Sequence, residues 1–510
     1  MFRSIESLPR KYCSILSKSL QSTSSNYIQC SRTKRGNTVV GIESNRTEST
    51  ASLTGHHQST LGFTLRTGPS YEEKPGLSYL IAKAAFQIFD STGPRHKQII
   101  QGLRDSTIVF DSQLNRDSMF YAFSWQNKNN SAVDSLLSTF LELIHKPIDS
   151  KELFDEVLLK AKEEMQFLRL NQLNKDPGFL LHNHLLYPTA FQKVSKCLSM
   201  PMVYEDEHLD GINYEDLVKH QNLYHTLDSG NLNIISIGFD HMSVEKILQK
   251  FQDSQSEKDV SEKEFDRTEF YDAQSGICLY EADLSATESN MNALPEQAHI
   301  ALAFPLPFHP TRNGISEANL NNYATQMVFQ TLFGGGSSFS SGGPGKGLHS
   351  KLYSDGLGRY HWLSHLSCHL TPSTSFNNGF LIIHSSAEPQ HLQRLFTFLS
   401  AQLLPMLHRP MLGPRELLRS KNQLKLNISL RLEHVPELME QVATSLLHYG
   451  KWFDLDEMFK AIDQVSVGDL KDFAKILVKS QASFLAMGKL KGNLGDVQKF
   501  FDNQKKLVES

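Results

Sequence analysis

The sequence predicts an α+β protein of two homologous domains, each a mostly antiparallel sheet packed with helices. Three observations predict it. The order helix, strand, strand, helix, long helix occurs twice along the 510 residues. A polar stretch, 252–268, holds few apolar residues and separates the two occurrences as a linker. The composition, 39% hydrophobic and 21% charged, suits a chain that buries a core.

In the first half, Leu77, Leu80, Ile81, Ala84, Ala85 and Ile88 recur at helical spacing. Thr107–Phe110 and Met119–Phe123 read as strands. Val133, Leu136, Leu137, Phe140, Leu141 and Ile144 line one face of a second helix. A third opens at Asp149, with Glu152 three residues on in a capping-box arrangement, and runs to about Leu170. The second half repeats this order. A helix passes through Leu320, Tyr323, Ala324, Met327, Val328 and Leu332. Strands follow at Trp362–Leu370 and Phe380–His384, then a helix over Pro389–Leu404 and a long one over Pro414–Leu432. Two more helices open at Asp454 with Glu457 and at Ser466 with Asp469. A strand over Ala482–Met487 and a last helical turn or two close the chain. The apolar run Ile300–Phe304 is strand-like and is soon interrupted by Pro305 and Pro307. The resulting division is 1–40 as a disordered leader, 41–251 as the first domain, 252–268 as the linker and 269–510 as the second domain.

The leader assignment rests on charge. Residues 1–40 carry seven basic side chains (Arg3, Arg10, Lys11, Lys18, Arg32, Lys34, Arg35) against Glu6 alone, and they are rich in serine. A basic, serine-rich, acid-poor start predicts a mitochondrial transit peptide, with Arg32 or Arg35 as landmarks for its removal. Its net charge of +6 leaves 41–510 at −10 against −4 for the whole chain. An acidic mature chain argues against nucleic acid and favours basic partners. No run of about 18 apolar residues predicts a membrane span. Cys13, Cys30, Cys197, Cys278 and Cys368 form no CxxC and read as free thiols in a reducing compartment.

The conspicuous segment is Gly334-Gly335-Gly336-Ser337-Ser338-Phe339-Ser340-Ser341-Gly342-Gly343-Pro344-Gly345-Lys346-Gly347. It follows a helix and precedes a helix-like Leu348–Tyr353. Seven glycines in fourteen residues free the backbone for close main-chain approach or for motion as a lid. A phosphate loop is excluded: Ser340 stands where its first glycine belongs, Gly347 follows Lys346, and the preceding element is a helix. A plain linker remains open on composition alone.

This run, with Leu348-His349-Ser350-Lys351-Leu352-Tyr353 after it, closely resembles the loop of the alpha subunits of mitochondrial processing peptidase. Gly358-Arg359-Tyr360-His361-Trp362, Ile382–Pro389 and Arg116–Tyr121 also resemble that family, over roughly residues 60–490. The resemblance implies two homologous domains facing two more in a catalytic beta subunit across a large cavity. It implies a heterodimer of the mitochondrial matrix, with inner-membrane association left open. It also implies a mobile loop, Gly334–Gly347, that binds basic presequences of imported precursors while the beta subunit carries the zinc. The alternative is a structural core protein of the respiratory ubiquinol–cytochrome c reductase, which shares the fold; the intact glycine loop disfavours it.

Catalytic relatives in that superfamily hold zinc through H-x-x-E-H on a helix, plus a distant glutamate. Two histidines four apart share a helical face, and the glutamate between them is the base for metal-bound water. Here Tyr79 stands at the first histidine, Ala82 at the glutamate and Lys83 at the second histidine. Asp155, Glu156, Glu163 or Glu164 overlies the distant ligand. This predicts a subunit with no catalytic residues, no metal and no cofactor of its own. Elsewhere, His361, His365 and His369 recur every four residues. They lie in a strand-like segment, where that spacing spans about 13 Å, too far for one ion. His56-His57 and His182-x-His184 have no evident partners and read as surface or helix-face residues.

Overall fold

The computed structural model describes residues 28–32, 37–42, 58–86, 108–126, most of 137–254, 271–281, 296–307, 317–334, 350–371 and most of 379–449 and 452–509. Two sheets organise them. The first has strands β1 (Ile28–Arg32), β2 (Thr38–Ile42), β3 (Gln58–Leu65), β4 (Val109–Leu114), β5 (Met119–Gln126) and β6 (Leu232–Ile237) in the order β1-β2-β6-β3-β5-β4. The second has β7 (Ile277–Glu281), β8 (Ala298–Pro305), β9 (Leu363–Leu370), β10 (Phe380–Ala387) and β11 (Ser483–Gly488) in the order β7-β11-β8-β10-β9. With β1 set aside, the two orders match strand for strand. Each has one parallel pair, β2 with β6 and β7 with β11, in an otherwise antiparallel sheet. The repeat predicted from element order is therefore a repeat of topology.

The helices are α1 (Leu77–Phe86), α2 (Lys151–Lys175), α3 (Tyr214–Tyr224), α4 (His241–Ser254), α5 (Glu317–Gly334), α6 (Pro414–Glu433), α7 (Val435–Tyr449), α8 (Leu455–Gln464), α9 (Val467–Lys479) and α10 (Val497–Glu509), with shorter helical stretches at 177–191 and 389–408. α4 continues through the first three residues of the expected linker. Its apolar face, Val244, Ile247 and Leu248, keeps helical spacing against the first sheet and carries the winding on to Ser254. Residues 255–268 lie outside the described residues. None of the described helices is long and apolar enough to cross a membrane.

β6, β8 and β11 are apolar on both faces because both faces are covered. One face of each sheet packs on helices of its own half. In the first, Leu61, Phe63, Tyr121, Phe123 and Ile234 meet Phe140, Val244 and Leu248. In the second, Ile300, Leu302, Ile383 and Phe484 meet Phe329, Leu395 and Phe473. The opposite faces are covered by the other half. Val40, Ile42, Phe120, Ile235 and Ile237 of the first sheet bury Met439, Val442, Ala443 and Leu446 of α7. Ala301, Ala303, Phe380, Ile382, Leu485 and Met487 of the second bury Leu181, Leu185, Leu186, Tyr187 and Phe191 of the stretch 177–191. The halves thus exchange one helical cover each.

The exchange is close. A Cβ on Gly62 of β3 would stand 2.6 Å from the Met439 methyl, and one on Gly276 would stand 2.8 Å from the Thr189 carbonyl. Arg66 donates to the Leu447 carbonyl at 3.1 Å, near the end of α7.

Two strands lie inside the expected leader. β1 and β2 occupy 28–32 and 38–42, with Val39 and Val40 fully buried. A disordered leader through residue 40 is therefore corrected. Val39 and Val40 pack on opposite faces of the first sheet, so this β-branched pair is core. Residues 1–27 and 33–36 lie outside the described residues. Among the described residues, Cys30, Cys197, Cys278 and Cys368 form no disulfide.

Candidate functional site

Two places bear on function: the helix at the metal-motif position, and the glycine run. α1 is approached through Gly76 at φ +104°, a left-handed turn that glycine makes without strain. Glu72 then caps the helix. Its carboxylate accepts the N–H groups of Gly76 at 2.8 Å and Ser78 at 2.7 Å. Full burial lifts this carboxyl to about 7 in spite of those bonds. Arg116, in the β4–β5 turn, is also buried. It donates to the carbonyls of Leu198 (3.2 Å), Met200 (2.8 Å) and Asn183 (3.0 Å), and its guanidinium lies 3.6 Å from the Tyr187 ring centre. It ties the first sheet to the chain that covers the second.

Tyr79 and Lys83, four residues apart, share the face of α1 that meets α2. The Tyr79 ring is buried 5.8 Å from the Tyr204 ring. Burial first, and the facing Glu164 charge second, push its phenol far above the usual range. Lys83 forms an ion pair with Glu164, and its Nζ stands 5.2 Å from the Tyr79 ring centre. Ala82 belongs to the core beneath the first sheet. Of the four candidate distant ligands, Glu164 is the one that reaches this pair; Glu156 instead pairs with Lys160 at 2.9 Å.

These residues do not fit zinc. Tetrahedral zinc needs at least three N, O or S donors. The position offers one carboxylate, a phenol held neutral, a methyl group and an ammonium. The ammonium occupies the side of Glu164 that a cation would take, so the carboxylate is already neutralised.

Of the run Gly334–Gly347, Gly334 is described, as the last residue of α5; Gly335–Gly347 lie outside the described residues. Gly334 packs flat on β9. A Cβ there would stand 2.4 Å from the Cys368 Cβ and 2.9 Å from the Cys368 backbone nitrogen. One turn earlier, Gln330 donates to the Cys368 carbonyl at 3.3 Å. Beyond the run, Lys351 pairs with Glu416 of α6 at 2.8 Å. The helix expected over Leu348–Tyr353 is found from Lys351, widening into a turn at Tyr353–Leu357. The run therefore springs from two fixed anchors.

Of the histidines, His182 departs from expectation. β9 is a strand, as its spacing predicted, and His361 lies before it. His365 and His369 share one face, each 2.8–2.9 Å from the hydroxyl of Ser367 between them. His182 is not a partnerless surface residue: its ring lies 5.9 Å from that of His369 and 6.2 Å from that of His384. The reason is the exchange of covers, which lays 177–191 on the second sheet. His184 lines a small cavity at the same seam with Glu205, Tyr280 and Met487. His56-His57 lies outside the described residues. Sequence reading also missed Glu72 and Arg116. A glutamate just ahead of Gly76 and a helical pattern was a capping signal for Glu72; Arg116 opened a segment singled out by resemblance, but nothing local marked its burial or its carbonyl partners.

Comparison with known proteins supplies the family. The family "Insulinase (Peptidase family M16)" matches residues 49–201, and "Peptidase M16 inactive domain" matches 211–424. The mitochondrial-processing peptidase subunit alpha of Caenorhabditis elegans is 23% identical over 85% of this chain and 81% of its own length. That of Homo sapiens is 26% identical over 84% and 78%. The Neurospora crassa alpha subunit reaches 31% over 38% of this chain and 32% of its own. A protease from Helicobacter pylori of known crystal structure superposes with a TM-score of 0.68 at 15% identity, over 90% of this chain and 99% of that one, which speaks to fold alone. With two M16 matches leaving only 202–210 between them, and alpha-subunit relatives aligned along most of its length, the chain belongs to the M16 peptidase family, on its mitochondrial-processing peptidase alpha branch.

Proposed function

We propose that the chain is the non-catalytic, substrate-recognising subunit of a mitochondrial processing peptidase, working with a zinc-bearing beta subunit in the matrix. The observation that carries this reading is the Lys83–Glu164 pair. It neutralises the remaining carboxylate with a built-in cation, at the position where a catalytic relative would need a metal. Hydrolysis then falls to the partner, and this chain contributes binding. Its acidic balance over residues 41–510 suits basic presequences. The run Gly334–Gly347 is the binding element, held at Gly334 and Lys351 so that its reach is set by the fold.

Reconstitution with a catalytic beta subunit tests this. Deleting 336–346 leaves the chain folded, as judged by its thermal transition, while cleavage of a presequence substrate drops sharply. A deletion variant that folds, pairs and processes at the normal rate overturns the role. Recovery of the native chain with inner-membrane cytochromes instead of a peptidase partner would favour the respiratory core protein.

A further inference from the structure

Five imidazoles meet at the seam where 177–191 covers the second sheet. His299 on β8 and His384 on β10 are buried, with Nδ1 of the first 3.1 Å from Nε2 of the second. The His365 ring lies 5.0 Å from that of His384 on the neighbouring strand. His369, two positions beyond Ser367, and His182, from the first half, complete the group. Strand register accounts for the assembly. His299 pairs across β8–β10 with Ser386, His384 with Ser367, and His365 with Ser386, so all four sheet histidines point to the face that 177–191 covers.

Among the described residues, no carboxylate pairs with the four sheet histidines. Its polar neighbours on the sheet are neutral: Ser367, and Ser386, whose hydroxyl donates to Gln297 at 3.3 Å. From the first half, Arg116 is engaged with the Asn183 carbonyl and lies beside Asp117, while Glu205 shares its cavity with His184. The influences on His384 besides burial are four other histidines, His299, His365, His182 and His369, and all of them oppose its charging. His299, His365 and His369 are likewise held below the ordinary range, chiefly by burial. The cluster is not arranged round an ion: among the described residues no group of three potential ligands has metal-binding geometry.

We infer that the five-histidine cluster is a proton-operated clamp between the halves: with neutral rings it seals the stretch 177–191 onto the second sheet, and protonation drives the two apart. A first proton has a route in, because His182, His365 and His369 are half-exposed while His299 and His384 lie behind them. A charge added on His299, His365, His369 or His384 then faces other imidazoles, and the unfavourable charging is relieved by parting the boundary between the sheet and 177–191, which is not a strand ladder. The sign follows from linkage. Rings held below their unfolded value stabilise the closed seam above about pH 6.5, and that stabilisation is lost as pH falls toward the folded value, about 4 for His299.

Amide hydrogen exchange on the full chain, read by mass spectrometry at pH ~7.5 and ~5.5 and corrected for intrinsic rates, tests the clamp. Expected is at least a roughly tenfold loss of protection in 177–191, with the α7 seam on the first sheet unchanged. Equal loss at both seams, meaning general acid unfolding, overturns the inference, and so does unchanged protection in 177–191. His369→Gln, at the half-exposed rim, moves the opening to lower pH; His182→Gln serves the same purpose if that variant fails to fold. Opening at the wild-type pH in a folded variant also overturns the clamp.

Discussion

Gly334 ends α5 against Cys368, with room for no atom between them: a Cβ on the first would lie 2.4 Å from the Cβ of the second. The contact fixes where the glycine run leaves the fold. Gly334→Ala forces either the helix end or β9 to shift. Overpacking of this kind costs about 1–3 kcal/mol, so thermal unfolding should fall by several degrees. On the proposed role of the glycine run, presequence affinity of the folded variant should fall with it, because the run starts from a displaced anchor. A variant as stable as the parent would show that the helix end is looser than the packing requires.

The Lys83–Glu164 pair predicts a gain of metal. The triple substitution Tyr79→His, Ala82→Glu and Lys83→His frees Glu164 and supplies two imidazoles on one helical face. The folded variant should bind one zinc per chain, measured by elemental analysis after dialysis, and adding Glu164→Gln should weaken retention strongly. Zinc retained equally with and without Glu164 would place the third ligand elsewhere.

Glu72 predicts a pH dependence of stability. Its folded value of about 7 lies above the ordinary carboxylate range. The folded state therefore holds the extra proton between about pH 4.5 and 7, and stability falls as pH rises through that window. Glu72→Gln removes this slope. The stability of the parent minus that of the variant, from urea unfolding, should decline steadily from pH ~5 to ~7. A constant difference would mean that Glu72 does not titrate there.

The exchanged covers predict that neither half is stable alone. Met439 is fully buried against the first sheet although it belongs to the second half. Met439→Ala should cost about 2–5 kcal/mol. Residues 37–254 expressed alone should aggregate through the uncovered face of Val40, Phe120, Ile235 and Ile237, and co-expression with 271–510 should restore solubility. A soluble, cooperatively folding 37–254 fragment would contradict the packing.

Burial of Val39 and Val40 bounds where the proposed leader can be removed. Terminal sequencing of protein recovered from mitochondria should place the first residue ahead of Thr38. A start beyond Ile42 would remove β2 from the sheet.

Much of the fold was legible because periodicity is local. α1, α2, α5, α6, β5 and β9–β11 follow from spacing alone, and their repeated order exposed the duplication. α7 was legible in principle, since Leu438, Met439, Val442, Ala443 and Leu446 keep helical spacing and Pro436 suits the first turn of a helix, but the expected order passed over it. The role of Gly334 was not legible, because Cys368, not its neighbours in sequence, forbids a side chain there. The histidine cluster was hidden for a related reason. It takes three strands in register and a helical cover from the other half to bring His182, His299 and His384 together. Glu164 could be shortlisted by sequence, but its capture by Lys83 needed the packing of α1 on α2.

The exchange of covers also changes what the polypeptide connection is for. Two copies of one topology that each lend the other a helix form, in effect, a dimer of halves whose interface is their own core. Covalent continuity raises the effective concentration of one half for the other, but packing keeps them together. A single cut between 255 and 270 should leave a nicked protein that stays assembled under native conditions. The two repeats are also bound to a shared evolutionary fate: a larger side chain in β3 must be answered in α7, some 380 residues away, and neither repeat can be replaced without refitting its twin.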